Sequence, residues 1–148
     1  MSRDSILRNA SKLMPLRGLT YMDALDWAES AFPGLIVKEL SLPGSLCGAY
    51  DLEDNVVFVD RLMDGNQKRV ALAHELAHML SKDPWCRNMG RMELAADRTG
   101  ALALISPVEY EACERIYAGN MAMMAKELGV TVRLVGVYRG LLSAWRKM

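Results

Sequence analysis

The sequence predicts an α+β protein in which a small antiparallel sheet packs against a mainly helical layer. Three observations carry that prediction. Helical patterning fills residues 1–34, β-rich runs crowd into residues 35–60, and helical patterning resumes from about residue 65 to 148. No internal repeat, low-complexity tract or linker breaks this order, and 148 residues are enough for a single domain with a sizeable core.

Residues 2–14 read as a short amphipathic helix closed by Pro15 and Gly18. Thr20 stands as an N-cap with Asp23 at its third position, close to a capping box, and opens a helix from Tyr21 to Phe32. Leu25, Ala28 and Phe32 recur there at helical spacing, and Pro33-Gly34 ends the pattern. Leu35 to Leu40 is β-rich, and Ser41-Leu42-Pro43-Gly44 is a turn. Cys47 to Leu52 and Asn55 to Asp60 are strand-like runs with Glu53-Asp54 between them, the pattern of a hairpin. The loop Arg61 to Asn66 leads into an apolar helix ending near Ser81. A connection from Ser81 to Gly90 separates it from a second apolar helix, Arg91 to about Ile105. Ser106-Pro107-Val108-Glu109 then places Ser at an N-cap, Pro at N1 and Glu at N3. Two more helices follow, around Met121–Leu128 and Thr131–Trp145, set off by Gly119 and Gly129.

Lysine plus arginine and aspartate plus glutamate balance at 18 each, so the chain as a whole carries no electrostatic footprint for nucleic acid. No apolar run reaches the ~18–20 residues needed to span a bilayer. Met1-Ser2-Arg3-Asp4-Ser5 leads into a polar segment without a signal-peptide core, so a cytoplasmic protein is expected. Cys47, Cys86 and Cys113 form no CxxC pair and suggest neither a disulfide framework nor a zinc knuckle.

The chemistry concentrates in Ala71 to Leu80, which contains the two histidines of the chain. A helix turns roughly 100° per residue, so His74 and His78 fall about 40° apart and one turn along the same face. Two imidazoles so placed can share one ion at the ~2.0–2.1 Å of Zn–N bonds. Glu75 lies beside them, about 100° round from His74 and 60° from His78. A carboxylate there can hold a water without ligating the metal. This is the H-E-x-x-H arrangement of two ligands and a general base. An ordinary core with hydrogen-bonded histidines and a solvated Glu75 is the competing reading. Against it, Val70 to Leu80 is apolar almost all round, so the helix should be buried. Unpaired buried polar groups cost roughly 1–3 kcal/mol each, and one cation satisfies all three.

A catalytic zinc site takes three protein ligands and keeps a fourth position open. With both histidines used, the third ligand is a carboxylate or a thiolate. Glu93 is the strongest candidate, because it opens the next helix, where Ala95 and Ala96 are small enough for close packing. Asp97, at i+4, shares its face and could accept the free ring N–H of a ligand histidine. Glu109, Glu111 and Glu114 are weaker rivals beyond a helix break, and Cys86 is a remote thiolate alternative. Two imidazoles and a carboxylate suit Zn2+ best, with Mn2+ or Fe2+ also able to enter.

Val70 to Leu80, then Glu93-Leu94-Ala95-Ala96-Asp97, an apolar helix and Ser106-Pro107 resemble the ImmA/IrrE metallopeptidases, whose ligand logic is that of gluzincins. The strand Asn55 to Asp60 and the segment Leu128 to Arg133 fit the same pattern, so the likeness covers roughly residues 35–142. It departs at Arg98-Thr99-Gly100-Ala101, where relatives often carry a Phe-Ala pair. The resemblance implies a zincin-like fold and a zinc-dependent, site-specific endopeptidase of the kind encoded on prophages and integrative elements. Its substrate would be a cytoplasmic helix-turn-helix repressor, whose cleavage relieves repression of transcription. An edge strand ahead of the active helix would hold the substrate, with Asn55, Val57 and Val59 as the candidate positions and a plain core strand as the alternative. Tyr50, Tyr110, Tyr117, Tyr138 and several arginines are all open as oxyanion donors.

The rival function is a binding module that sequesters a repressor without cutting it, for which Glu75 has no use. A DNA-binding regulator built on Arg133, Arg139, Arg146 and Lys147 is a further reading. A basic helix tail is more often a solvated end favoured by the helix dipole.

Overall fold

The computed structural model describes residues 2–83 and 90–146. In chain order these form α1 (Arg3–Leu13) with a short 3-10 turn (Met14–Leu16), α2 (Tyr21–Ala31), β1 (Ile36–Leu40), β2 (Gly48–Asp51), β3 (Val56–Asp60) and α3 (Gly65–Ser81). Then come α4 (Gly90–Leu104), α5 (Pro107–Ile116), α6 (Met121–Leu128) and α7 (Val132–Arg146). The class is α+β, as the alternation of patterns predicts.

Local chemistry sets most helix ends. Thr20 accepts from the Asp23 amide, Ser106 from the Glu109 amide and Asn120 from the Met123 amide, each filling an orphan donor of a first turn. Gly129, at φ 69°, ends α6 in the left-handed conformation that glycine adopts without strain. Arg17 does the same work at a distance. Its guanidinium donates to the carbonyls of Leu102 (2.8 Å), Ala103 (2.9 Å) and Ile105 (3.3 Å), which the end of α4 leaves without helical partners.

The sheet corrects the expectation of an antiparallel one. Its order is β1-β3-β2: β2 pairs with β3 antiparallel, as a hairpin requires, but β1 pairs with β3 in parallel from the other side. The reason lies in the segment 41–47, which crosses the end of β3 instead of folding β2 back onto β1. Asp60 pins that crossing, accepting from the Leu42 amide at 3.2 Å and donating its own amide to the Cys47 carbonyl at 2.9 Å. Asn55, expected as the first residue of a strand, sits instead in the hairpin turn at φ 56°, where its side chain accepts from the Tyr50 hydroxyl at 3.0 Å.

One helix is central to the packing. α3 touches β2 and β3 on the sheet side and α1, α2 and α4 on the helical side. Leu72 and Leu76 are wholly buried in the one core that also holds Val57 and Val59 of the sheet and Leu13, Leu16 and Ile105 of the helical layer. Apolar burial of that size is what stabilises a helix carrying two histidines and a glutamate. Of the described residues, no helix is long and apolar enough to cross a membrane.

Candidate metal centre

The sequence fixes where α3 starts, and hence which way its histidines face. Asp64 caps the helix by accepting from the Gln67 amide at 2.8 Å, while the Gln67 side chain accepts from the Asp64 amide at 3.0 Å. From there His74, Glu75 and His78 follow on the last turns. Alanines do the rest: Ala71, Ala73 and Ala77 of α3 and Ala95, Ala96 and Ala101 of α4 are all buried, so the two helices run close. Gly100 continues that interface, since a Cβ there would lie 3.9 Å from the Ala73 Cβ. Glu93, in the first turn of α4, is thereby carried to the two rings.

The contacts converge. His74 Nε2 lies 2.9 Å from Glu93 Oε2, His78 Nε2 lies 2.8 Å from Glu93 Oε1, and the two Nε2 atoms stand 3.2 Å apart. The opposite ring nitrogens face other carboxylates. His74 Nδ1 is 2.9 Å from Asp97 Oδ1, and His78 Nδ1 is 2.9 Å from Asp83 Oδ2. An ionised carboxylate only accepts, so each Nδ1 carries a hydrogen and donates it. In the neutral rings both Nε2 lone pairs then point at each other and at Glu93, three acceptors with no donor among them.

That arrangement calls for protons or a cation, and the donor set fits a cation. Two nitrogens ~2.0–2.1 Å from a shared tetrahedral ion stand roughly 3.3–3.4 Å apart, close to the separation seen here. His74, His78 and Glu93 each offer one ligand atom, all within 4.8 Å of one another, and form a group able to hold a metal ion. Without one, protons fill the gap. Burial opposes a charge on His74, but hydrogen bonds to Asp97 and Glu93 and the charges of Glu75 and Glu93 push it up to about 10. His78 is raised too: burial opposes it, and hydrogen bonds to Glu93 and Asp83 overcome that. The same hydrogen bonds from His74 and His78 hold the Glu93 carboxyl far below the usual carboxylate range.

Glu75 stands apart from these three candidate ligands. Its Oε2 is 4.0 Å from His74 Nε2, near the centre but outside hydrogen-bond reach of the ring. Burial pushes its carboxyl up to about 7, against the pull of His74 and His78. It opens onto a cavity of about 380 Å3 that also holds His74, Glu93 and Asp97, with Met63, Val70 and Ala71 as an apolar wall.

Residues that the sequence reading did not connect to the centre complete it. Asp83 reaches His78 because the chain reverses at Lys82, φ 54°, with the Asp83 amide donating to the His78 carbonyl at 3.0 Å. Arg133, read from the sequence as part of a basic tail, instead sits at the start of α7 and donates to both oxygens of Asp97. The one sequence signal for it was its place after the Gly129 helix stop.

Other candidates lie elsewhere. The proposed edge strand is a correction: β3 is the central strand, so Val57 and Val59 are wholly buried and Asn55 is in the turn, leaving none of the three on a free edge. Of the two outer strands, β2 packs against α3, while β1 meets that helix through the Lys68–Glu39 ion pair at 2.6 Å. Glu111 pairs with Arg115 on exposed α5, and Glu114 lies 3.6 Å from Arg139, which donates to the Tyr110 hydroxyl at 3.2 Å. Tyr110 and Tyr138 pack on each other, with ring centroids 4.7 Å apart. Among the described residues lining the cavity there is no tyrosine, and Arg133 is the arginine present. Cys113 is buried in the core and Cys47 is exposed at the cavity, while Cys86 and Lys147 lie outside the described residues.

Compared with known proteins, the chain matches no family model and no curated protein.

Proposed function

We propose that the protein is a zinc-dependent endopeptidase whose substrate is another protein. One observation carries this reading: two ring nitrogens and both oxygens of one carboxylate converge, with a second, buried carboxylate 4.0 Å from His74 Nε2. His74, His78 and Glu93 would hold the ion. An ion held there would supply Lewis acidity towards a peptide carbonyl and would lower the pKa of a water towards ~7.

The chain's own residues supply the remainder. Asp97 and Asp83 keep the Nδ1 hydrogens in place and so aim both Nε2 lone pairs inward. Glu75 takes the proton of the attacking water and returns it to the leaving amine, a task suited to a buried carboxylate 4.0 Å from the His74 ring nitrogen. The apolar wall of Met63, Val70 and Ala71 suits an apolar side chain next to the scissile bond. An extended substrate would add to the sheet at the free side of β2, next to α3. That the substrate is a cytoplasmic helix-turn-helix repressor rests on the resemblance of residues 70–80 and 93–97 to the ImmA/IrrE peptidases.

Glu75→Gln is the test. The variant should bind one zinc per chain with unchanged affinity, retain partner binding and lose cleavage of a co-incubated repressor by about 10²-fold or more. Derepression at the wild-type level by this variant would instead establish a sequestering module that needs no proton transfer.

A further inference from the structure

We propose that Gly48 is a positioning residue for Glu75, its bare Cα forming the floor on which that carboxylate rests; this builds on the reading of Glu75 as the proton carrier. Gly48 opens the short strand β2, where a glycine brings no side chain to pack, and a strand glycine often marks a close approach of another group. Backbone conformation does not explain it, because Gly48 is not among the left-handed glycines. Space does. A Cβ at position 48 would come within 3.0 Å of Glu75 Cγ, 3.0 Å of Glu75 Oε2 and 3.0 Å of the Phe58 carbonyl oxygen.

The three neighbours differ in how far they can yield. Phe58 lies in the middle strand, paired with Lys38 on one side and Ala49 on the other, so its carbonyl is fixed by the sheet. Among the described residues, the cation facing Glu75 is His74 Nε2 at 4.0 Å, and no hydrogen bond from them anchors its oxygens. Any side chain at 48 therefore displaces the carboxylate while His74, His78 and Glu93 stay where α3 and α4 put them. Position 48 controls the proton carrier separately from the ligands.

The experiment is a double-mutant cycle in the full chain, Gly48→Ala with and without Glu75→Ala, read by thermal melting and by zinc titration against a chelating dye. Gly48→Ala alone should lower Tm by about 3 °C or more, and at least about half of that loss should vanish in the Glu75→Ala background. Zinc affinity should stay within about threefold of wild type, because the ligands are untouched. With a partner that the wild type cleaves, kcat should fall about 10- to 100-fold at unchanged KM. Equal Tm losses in both backgrounds, or a zinc affinity that falls as far as kcat, would overturn the proposal. If the wild type cleaves nothing, the peptidase reading fails, while the melting cycle still decides the placement of Glu75.

Discussion

Arg133 grips Asp97 by both arms of its guanidinium, Nη1 to Oδ1 at 3.1 Å and Nη2 to Oδ2 at 2.8 Å. The Asp97 side chain is 9% exposed and that of Arg133 74%, so a solvated cation is clamped on a buried anion. Burial alone would raise the Asp97 carboxyl, but hydrogen bonds from His74 and Arg133 hold it below its usual range. Asp97 therefore stays ionised and keeps the hydrogen on His74 Nδ1. Asp97→Asn should weaken zinc binding about 10- to 100-fold, the usual cost of losing such a support. Arg133→Gln should cost only a few-fold, since an exposed partner contributes little. Titration against a chelating dye measures both, and an unchanged Asp97→Asn affinity would remove Asp97 from the centre.

Lys82 is a stability lever. It ends α3 at φ 54° and ψ 41°, where a side chain is strained and glycine is not. Lys82→Gly should raise stability by up to ~1 kcal/mol without altering metal affinity, because the reversal that brings Asp83 to His78 is kept. Urea denaturation gives the first quantity and dye competition the second. A loss of stability would show that the lysine side chain contributes something beyond the turn.

Arg17 makes the complementary case. Its three hydrogen bonds run from a cation to carbonyls at the end of α4, the helix that carries Glu93 and Asp97. Arg17→Met removes them and strands those carbonyls in a partly buried site. The expected loss is about 2–3 kcal/mol, with the zinc affinity of the folded protein unchanged.

What could be read from the sequence follows the range of the interactions. Helix starts depend on residues three apart, so the caps Thr20 and Ser106 are legible; Asp64 and Asn120 obey the same rule, but α3 starts at Gly65, inside the stretch expected as a loop to Asn66. His74 and His78 share a face by helical geometry alone, and the hairpin of β2 and β3 needs only a local turn. The place of β1 depends instead on which way the segment 41–47 crosses, and the strands carry no mark of it. Asp83 and Arg133 escaped for separate reasons. Lys82 hides a left-handed turn that glycine would have announced, and Arg133 meets Asp97 across 36 residues of chain. Gly48 reads as a weak strand residue until Glu75 is placed above it.

The pH dependence follows from the proton-filled state of the metal-free centre. His74 moves from 6.5 up to about 10, as its partners Asp97, Glu93 and Glu75 overcome burial, and Glu75 moves from 4.5 up to about 7 through burial. Each group binds its proton more tightly folded than unfolded. Their contribution to stability is complete below the unfolded value and is lost as pH rises through the folded one. For Glu75 that window is about 4.5 to 7, and for His74 about 6.5 to 10. Glu93 and Asp97, held low, act in the opposite sense and withdraw their support only in acid. Zinc must displace protons from the rings, so its affinity rises with pH. In the presence of chelator, Tm should therefore decline from about pH 5.5 to 8.5, while the increase in Tm produced by added zinc should widen over the same range. A zinc-induced shift that is equal at both ends would mean that no ring proton is released on binding, and the ligand assignment to His74 and His78 would fall with it.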